Sequence, residues 1–326
     1  MIENLISFVI PCYRSERSIG FVLDEIIRIM ELEKDYIYEI IAVNDGSPDQ
    51  VFSVLKKRAQ GNIRIKVIDL VKNMGKHAAL MAGYHYASGK TIVCVDDDGQ
   101  CPVDRLWDLL APLQNGYDVS IAKYGSKSQS AFKNFGSKLN DFMTRILLEK
   151  PKDLQFGSFF AMNDYILQEI IKYDNPYPYL DGLLLRTTTK IANIPMPDRE
   201  RINGTSGYTF KKMVSLWMNG FTAFSVKPLR IATVTGMICA LIGFIFGVYT
   251  IMHKLVNPAT PAGWSSTMAA LLFIGGMIML ILGLIGEYIG RIYICINASP
   301  QYVIRETVNI KKDEESNKDG SKTFDS

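Results

Sequence analysis

Histidine and cysteine are scarce in this chain of 326 residues, and their spacing excludes more than their number does. His77, His85 and His253 form no HExxH, and Cys12, Cys94, Cys101, Cys239 and Cys295 form no CxxC or Cys/His ligand pattern. A zinc site or a disulfide framework therefore has no scaffold, and reduced thiols in a cytosolic compartment are the simpler reading. No GxGxxG follows the first apolar run, and GxxxxGK[ST] is absent throughout. That counts against a dinucleotide-dependent dehydrogenase and a P-loop ATPase. An excess of one charge is lacking too: 36 basic residues against 33 acidic ones leave a net charge of +3, which gives no argument for nucleic acid as a partner. The N-terminus, MIENLISFVIPCYR, has no basic leader and its apolar run stops at Pro11, so it does not read as a signal peptide.

Long apolar runs, by contrast, are present. Residues 231–252 and 266–285 each approach the ~20 residues that a bilayer-spanning helix needs, have no polar face and are rich in glycine. Lys227 and Arg230 precede the first run, Arg291 and Arg305 follow the second, and the link between them carries little charge. The positive-inside rule then predicts a multi-pass hairpin with both termini in the cytoplasm. The stretch 207–229 mixes Lys211, Lys212 and Lys227 with Trp217, Phe221 and Phe224. It suits a helix lying in the membrane interface, or equally an amphipathic helix packed on a soluble domain. The charged, nearly apolar-free end of the chain predicts disorder from about residue 310.

Before residue 200, short β-branched runs alternate with longer helical patterns: LISFVIP, YEIIAVND, IKVIDLV, TIVCVDDD and DVSIAK each precede a helical stretch, the last over about 131–149. Such alternation predicts an α/β fold with a mostly parallel sheet covered on both faces. Ligands of these sheets bind beyond the carboxyl ends of the strands. The strand ends carry Pro11, Tyr13 and Arg14, then Asn44-Asp45-Gly46-Ser47, then Asn73-Met74-Gly75-Lys76, then Asp96-Asp97-Asp98-Gly99-Gln100. Carboxylates at a spacing of two, Asp96 and Asp98, suit Mg²⁺ or Mn²⁺ shared with diphosphate oxygens. Taken alone, the same short run also fits a solvated turn in which Asp98 or Asp104 caps the next helix.

The ordered series VIPCYR, VNDGSPD, NMGKHAALMAGYHYASG, VDDDGQCP, RERINGTSGYTF and GLIGEYIGRIY resembles the polyprenyl-phosphate glycosyltransferases of glycosyltransferase family 2, over about residues 5–305. The resemblance implies a GT-A domain, Rossmann-like, over 1–206, an interfacial segment over 207–229, a transmembrane hairpin within 230–292 and a cytoplasmic tail over 293–326. It implies an enzyme of the bacterial inner membrane that moves a sugar from a nucleotide diphosphate sugar to undecaprenyl phosphate at the lipid bilayer. It is compatible with a homo-tetramer. By the same resemblance, Pro11, Tyr13, Asn44, Asp45, Lys76, Asp96 and Asp97 attend the nucleotide, and Asp96 and Asp98 hold the metal. Asp96, Asp98, Gln100 and Arg201 form the catalytic set, and Lys123, Lys127, Lys133, Arg201 and Ser206 attend the acceptor phosphate.

Three departures from the family pattern stand out. Asp97 adds a third carboxylate where relatives have a small residue, and lysines stand where relatives carry arginine or lysine, a point charge that cannot reproduce a planar guanidinium fork. Ser158 stands where relatives commonly carry aspartate. That loss is tolerable, because a phosphate monoester with a second pKa near ~6 is already largely dianionic at neutral pH and needs no base. Two rival readings share the fold: a processive polysaccharide synthase, opposed by the lack of any QxxRW, and a catalytically silent assembly factor.

Overall fold

A computed structural model describes residues 4–125, 150–151, 153–197, 199, 227–256, 263–297 and 299–310. The helix expected over 131–149, most of the interfacial segment, and Lys127, Lys133, Arg201 and Ser206 lie outside the described residues, as does the tail beyond 310. The described residues fall into two units, one built on a sheet and one on two long helices.

The sheet begins with β1 (Leu5–Cys12), whose eight residues LISFVIPC are all buried, as expected of a strand covered on both faces. It pairs in parallel with β2 (Ile37–Asn44) on one side and β4 (Thr91–Cys94) on the other, and β2 pairs in parallel with β3 (Ile65–Leu70). Helix α1 (Ile19–Leu32) covers the sheet with Ile19, Val22, Leu23, Ile26 and Met30, at the three- and four-residue spacing of an amphipathic helix. Helix α2 (Val51–Gly61) buries Val51, Leu55 and Ala59 by the same rule. Helix α3 (Lys76–Tyr84) is apolar almost all round, and a Cβ at Gly83 would stand 2.5 Å from Val9 Cγ1, so only glycine lets it pack this close to the strands.

Beyond β4 come a short 3₁₀ turn and α4 (Leu106–Gln114), then β5 (Val119–Tyr124), β6 (Phe160–Asn163), α5 (Asp164–Ile170), α6 (Leu180–Thr187) and β7 (Ile191–Met196). Strand β6 runs antiparallel between β4 and β5, while β7 is parallel to β5. The final strand, β8 (Ile304–Val308), lies antiparallel to β3 and completes the order β7-β5-β6-β4-β1-β2-β3-β8. The sheet is thus mostly parallel, as expected. It also takes in a strand from residues 293–326, which the sequence pattern assigns to a tail, because β8 finds its partner more than two hundred residues upstream.

In the second unit, α7 (Lys227–Val256) and α8 (Trp264–Ile296) contain the two expected apolar runs and extend past both. Their windows Ala232–Tyr249 and Phe273–Ile296 have mean hydropathies of 2.0 and 1.9, and both helices are long and apolar enough to cross a membrane. Gly236 of α7 faces Ile281 of α8, where an added Cβ would lie 3.7 Å from Ile281 Cδ1.

Candidate active site at the strand ends

The carboxyl ends of β1 to β4 converge, and the loops that follow them are tied together by side chains. Asp45, 3% exposed, accepts the Met74 N–H at Oδ1 (2.7 Å) and the Gly75 N–H at Oδ2 (2.9 Å), and its own carbonyl accepts Asn73 Nδ2 at 3.2 Å. Burial raises its carboxyl to about pKa 6 against the opposing pull of those two amides. Asp45 therefore shapes the loop that leads into α3. Asn44 donates through Nδ2 to Asp69 at 2.6 Å and accepts the Ser47 N–H at 3.2 Å, while Ser47 Oγ accepts the Arg14 N–H at 2.8 Å. Tyr13 and Arg14 are exposed at the rim, with the guanidinium 5.5 Å from the Tyr13 ring centroid, whereas Pro11 is buried inside β1.

The three consecutive aspartates divide their work. Asp96 forms an ion pair with Lys76, the first residue of α3. Burial alone would depress the Lys76 ammonium, but the Asp96 carboxylate outweighs it and holds its pKa above the ordinary value. Asp98 accepts the Gln100 N–H at 3.0 Å, closing the turn at Gly99, whose φ is +76°. Asp97 points elsewhere: its Oδ2 accepts the Tyr13 N–H at 2.9 Å, its carbonyl accepts Ser18 Oγ at 2.6 Å, and burial raises its carboxyl to about pKa 6. The middle acid is a strap between the ends of β4 and β1. The carboxylates of Asp96 and Asp98 are hard oxygen donors of the kind that would suit a divalent cation bound together with a diphosphate. Among the described residues, no group of three or more His, Cys, Asp or Glu side chains could hold a metal ion without such help.

Gln100, expected in the catalytic set, donates through Nε2 to the Arg199 carbonyl at 3.0 Å. Arg199 in turn donates to Glu25 at 2.8 Å and pairs with Asp104, which fastens the chain after β7 to α1 and to the acidic loop. Lys123 is half-buried near the carboxyl end of β5, and Ser158 lies just before β6. Cys12, Cys94 and Cys101 are buried around this region, and burial raises each thiol, Cys94 to about 12, so they are protonated and inert at neutral pH.

Another cluster on the same side has no counterpart among the expected site residues. His77, next to Lys76, accepts the Leu180 N–H at Nδ1 (3.4 Å) and stands edge-on to the Tyr179 ring. Burial, with Lys76 beside it, depresses its pKa to about 4. Asp181, in the first turn of α6, is raised to about 6 by burial, and its Oδ2 accepts the Tyr179 hydroxyl at 3.4 Å. The sequence signals were slight: a histidine after the loop lysine, and one carboxylate opening an apolar helix. A test follows from the sign of the shift. A neutral folded His77 stabilises the protein above pH 6.5, and that contribution is lost as the pH falls through 6.5 toward 4. Acidification from pH 7 to pH 5 should therefore cost wild type about 2 kcal/mol more than His77→Gln, which keeps an acceptor for the Leu180 N–H but does not titrate. Denaturant titrations at both pH values measure this, and equal losses in the two proteins would refute it.

Comparison with known proteins adds the wider context. Residues 7–171 match the model of glycosyl transferase family 2, and residues 227–292 match that of the GtrB C-terminal hairpin. An uncharacterized glycosyltransferase, YkcC of Bacillus subtilis, is 32% identical over 94% of this chain and 94% of its own length. The undecaprenyl-phosphate 4-deoxy-4-formamido-L-arabinose transferase of Proteus mirabilis is 31% identical over 95% of both. An SfII prophage-derived bactoprenol glucosyl transferase of Shigella flexneri is 30% identical over 93% of this chain and 98% of its own. Among solved structures, glucosyl-3-phosphoglycerate synthase of Mycobacterium tuberculosis, crystallised with Mn²⁺ and uridine diphosphate, aligns with a TM-score of 0.50 at 20% identity, over 66% of this chain and 75% of its own. At that identity the likeness shows the fold alone.

Proposed function

The chain belongs to glycosyltransferase family 2, and from that premise we propose that it moves a sugar from a nucleotide diphosphate sugar to undecaprenyl phosphate, with inversion at the anomeric carbon. The observation that carries this reading is the pairing of Lys76 with Asp96, two residues from Asp98, at the sheet end where the loops of β1, β2 and β3 also converge, in a chain that carries an apolar hairpin. Relatives named for bactoprenol and undecaprenyl phosphate, similar over nearly their whole length, support a lipid phosphate as acceptor.

In the reaction, an acceptor phosphate oxygen forms the new bond to the anomeric carbon as the bond from that carbon to the nucleotide diphosphate breaks. Asp45 orders the loop in front of α3, and Tyr13, Asn44 and the loop amides offer the base and ribose a polar rim. Lys76 places a positive charge where the diphosphate departs, and Lys123, Lys127, Lys133, Arg201 and Ser206 are the groups proposed to meet the acceptor phosphate. A Mg²⁺ or Mn²⁺ held by Asp96 and Asp98 would neutralise charge on the leaving diphosphate. Ser158 at the usual place of an aspartate fits an acceptor that arrives already ionised.

The membrane side follows from the acceptor. A polyprenyl chain leaves a bilayer at a cost of ~0.8 kcal/mol per CH₂, so the enzyme must work at the interface. Strand β8 follows the hairpin yet pairs with β3, which supports an even number of crossings, with the catalytic domain and both flanks of the hairpin in the cytoplasm. The direct test incubates the full-length protein with undecaprenyl phosphate and a panel of nucleotide sugars and analyses the lipid by mass spectrometry. One lipid-linked sugar phosphate is the expected product. A growing glycan chain on any donor would favour the processive synthase, and no product across the panel would favour a silent scaffold.

A further inference from the structure

Asp69, the last residue but one of β3, has only 2% of its surface exposed. An ionised carboxylate buried there is costly without partners. Two groups answer it: Asn44 Nδ2 donates to Oδ1 at 2.6 Å, and Arg305 Nη1 donates to Oδ2 at 3.3 Å. The other end of the same guanidinium, Nη2, donates to the Val71 carbonyl at 2.8 Å. Arg305 thus bridges the end of β3 and the start of the loop 71–75.

From these anchors, two short chains of contacts enter the candidate nucleotide site. One runs through Asn44 to the Ser47 amide, and from Ser47 Oγ to the Arg14 amide at the rim. The other is the loop itself, which brings the Met74 and Gly75 amides to Asp45 and ends at Lys76, the partner of Asp96. We infer that Arg305 is a positioning residue for the donor nucleotide: it neutralises Asp69 and holds Asn44 and the loop 71–75 in place. It lies after the apolar hairpin in sequence, so the donor site is completed only when the last strand has returned to the sheet. The inference rests on the donor reading of Asn44, Asp45 and Lys76 given above.

Attachment of the strand does not depend on Arg305. Lys56 of α2 pairs with Glu306, and Asn309 Nδ2 donates to the carbonyls of Ala59 (2.7 Å) and Ile65 (2.9 Å). Glu306→Gln therefore weakens strand attachment without touching the path to the nucleotide, and serves as the control.

The experiment measures the affinity of the full-length protein for uridine and guanosine diphosphate, with Mn²⁺, by titration calorimetry, alongside thermal unfolding. Wild type should bind one of them. Arg305→Met should weaken that binding about tenfold, Arg305→Lys by a few-fold because an ammonium can serve Asp69 or Val71 but not both, and Glu306→Gln by less than about twofold. Adding Asp69→Asn to Arg305→Met should recover most of the loss, since a neutral amide no longer needs the cation. Unchanged affinity in Arg305→Met, equal weakening in Glu306→Gln, or no recovery in the double variant would each overturn the inference. Failure of wild type to bind either nucleotide would instead overturn the donor reading, and the inference with it, before any substitution is compared.

Discussion

Asp98→Asn should lower kcat/KM by at least about a hundredfold with little change in unfolding temperature, whereas Asp97→Asn should stay within a few-fold of wild type. The difference follows from where the carboxylates point. Asp98 accepts the Gln100 N–H and is proposed with Asp96 as the oxygen pair that would hold a cation, so an amide at position 98 removes one anionic ligand. Asp97 faces the loop after β1, accepting the Tyr13 N–H at 2.9 Å, with the Ser15 hydroxyl buried beside it. An asparagine there keeps an oxygen for Tyr13 and offers an N–H to Ser15. Because burial already raises Asp97 to about pKa 6, replacing its charge with a neutral amide relieves a desolvation cost. Asp97→Ala, by contrast, removes the acceptor of the Tyr13 N–H and should lose about 0.5–1.5 kcal/mol of stability. Chelation by EDTA should abolish transfer in wild type and in Asp97→Asn alike. If Asp97→Asn is as inactive as Asp98→Asn while still folded, or if transfer persists in excess chelator, the division of roles is wrong.

That division was not readable from the chain. The βα rhythm placed all three aspartates at a strand end, but they follow β4 in a turn, where strand alternation does not set which way each side chain faces. The hairpin was legible, since length and hydropathy alone define it. What could not be read were the contacts between distant segments. Strand β6 has only four residues and pairs antiparallel within a sheet whose rhythm suggests parallel neighbours, and β8 pairs with β3 across the whole intervening chain. Arg305 therefore looked like a topogenic charge flanking a membrane helix, whereas the structure sets it against Asp69. Gln100 matched the family motif, but its contact with the Arg199 carbonyl was not readable, and Arg199, two residues before the expected phosphate ligand Arg201, carried no local signal of its contact with Glu25. Residue type and strand-end position could be inferred. Side-chain direction could not, because packing sets it.

Gly46→Ala should be the most damaging single-methyl change in the sheet-end loops, at about 2–4 kcal/mol of stability, because two penalties coincide. Gly46 has φ +54°, a left-handed backbone that costs an L-residue roughly 1–2 kcal/mol. In addition, a Cβ would stand 2.4 Å from the Lys72 carbonyl carbon and 2.5 Å from the Asn73 nitrogen, both backbone atoms that cannot rotate away. The loop 72–75 must move, and it is the loop that Asp45 grips through the Met74 and Gly75 amides and that delivers Lys76 to Asp96. Nucleotide affinity should fall together with stability. Gly116→Ala separates the two penalties: φ there is +85°, yet a Cβ would meet nothing within 4 Å, so only the backbone cost of about 1–2 kcal/mol applies and nucleotide affinity should not change. Urea titrations and nucleotide binding for both variants decide the matter. Equal destabilisation would remove steric contact with the loop as the cause, and a stable Gly46→Ala that binds nucleotide normally would show that the close approach of the β2 and β3 loops does not build the site.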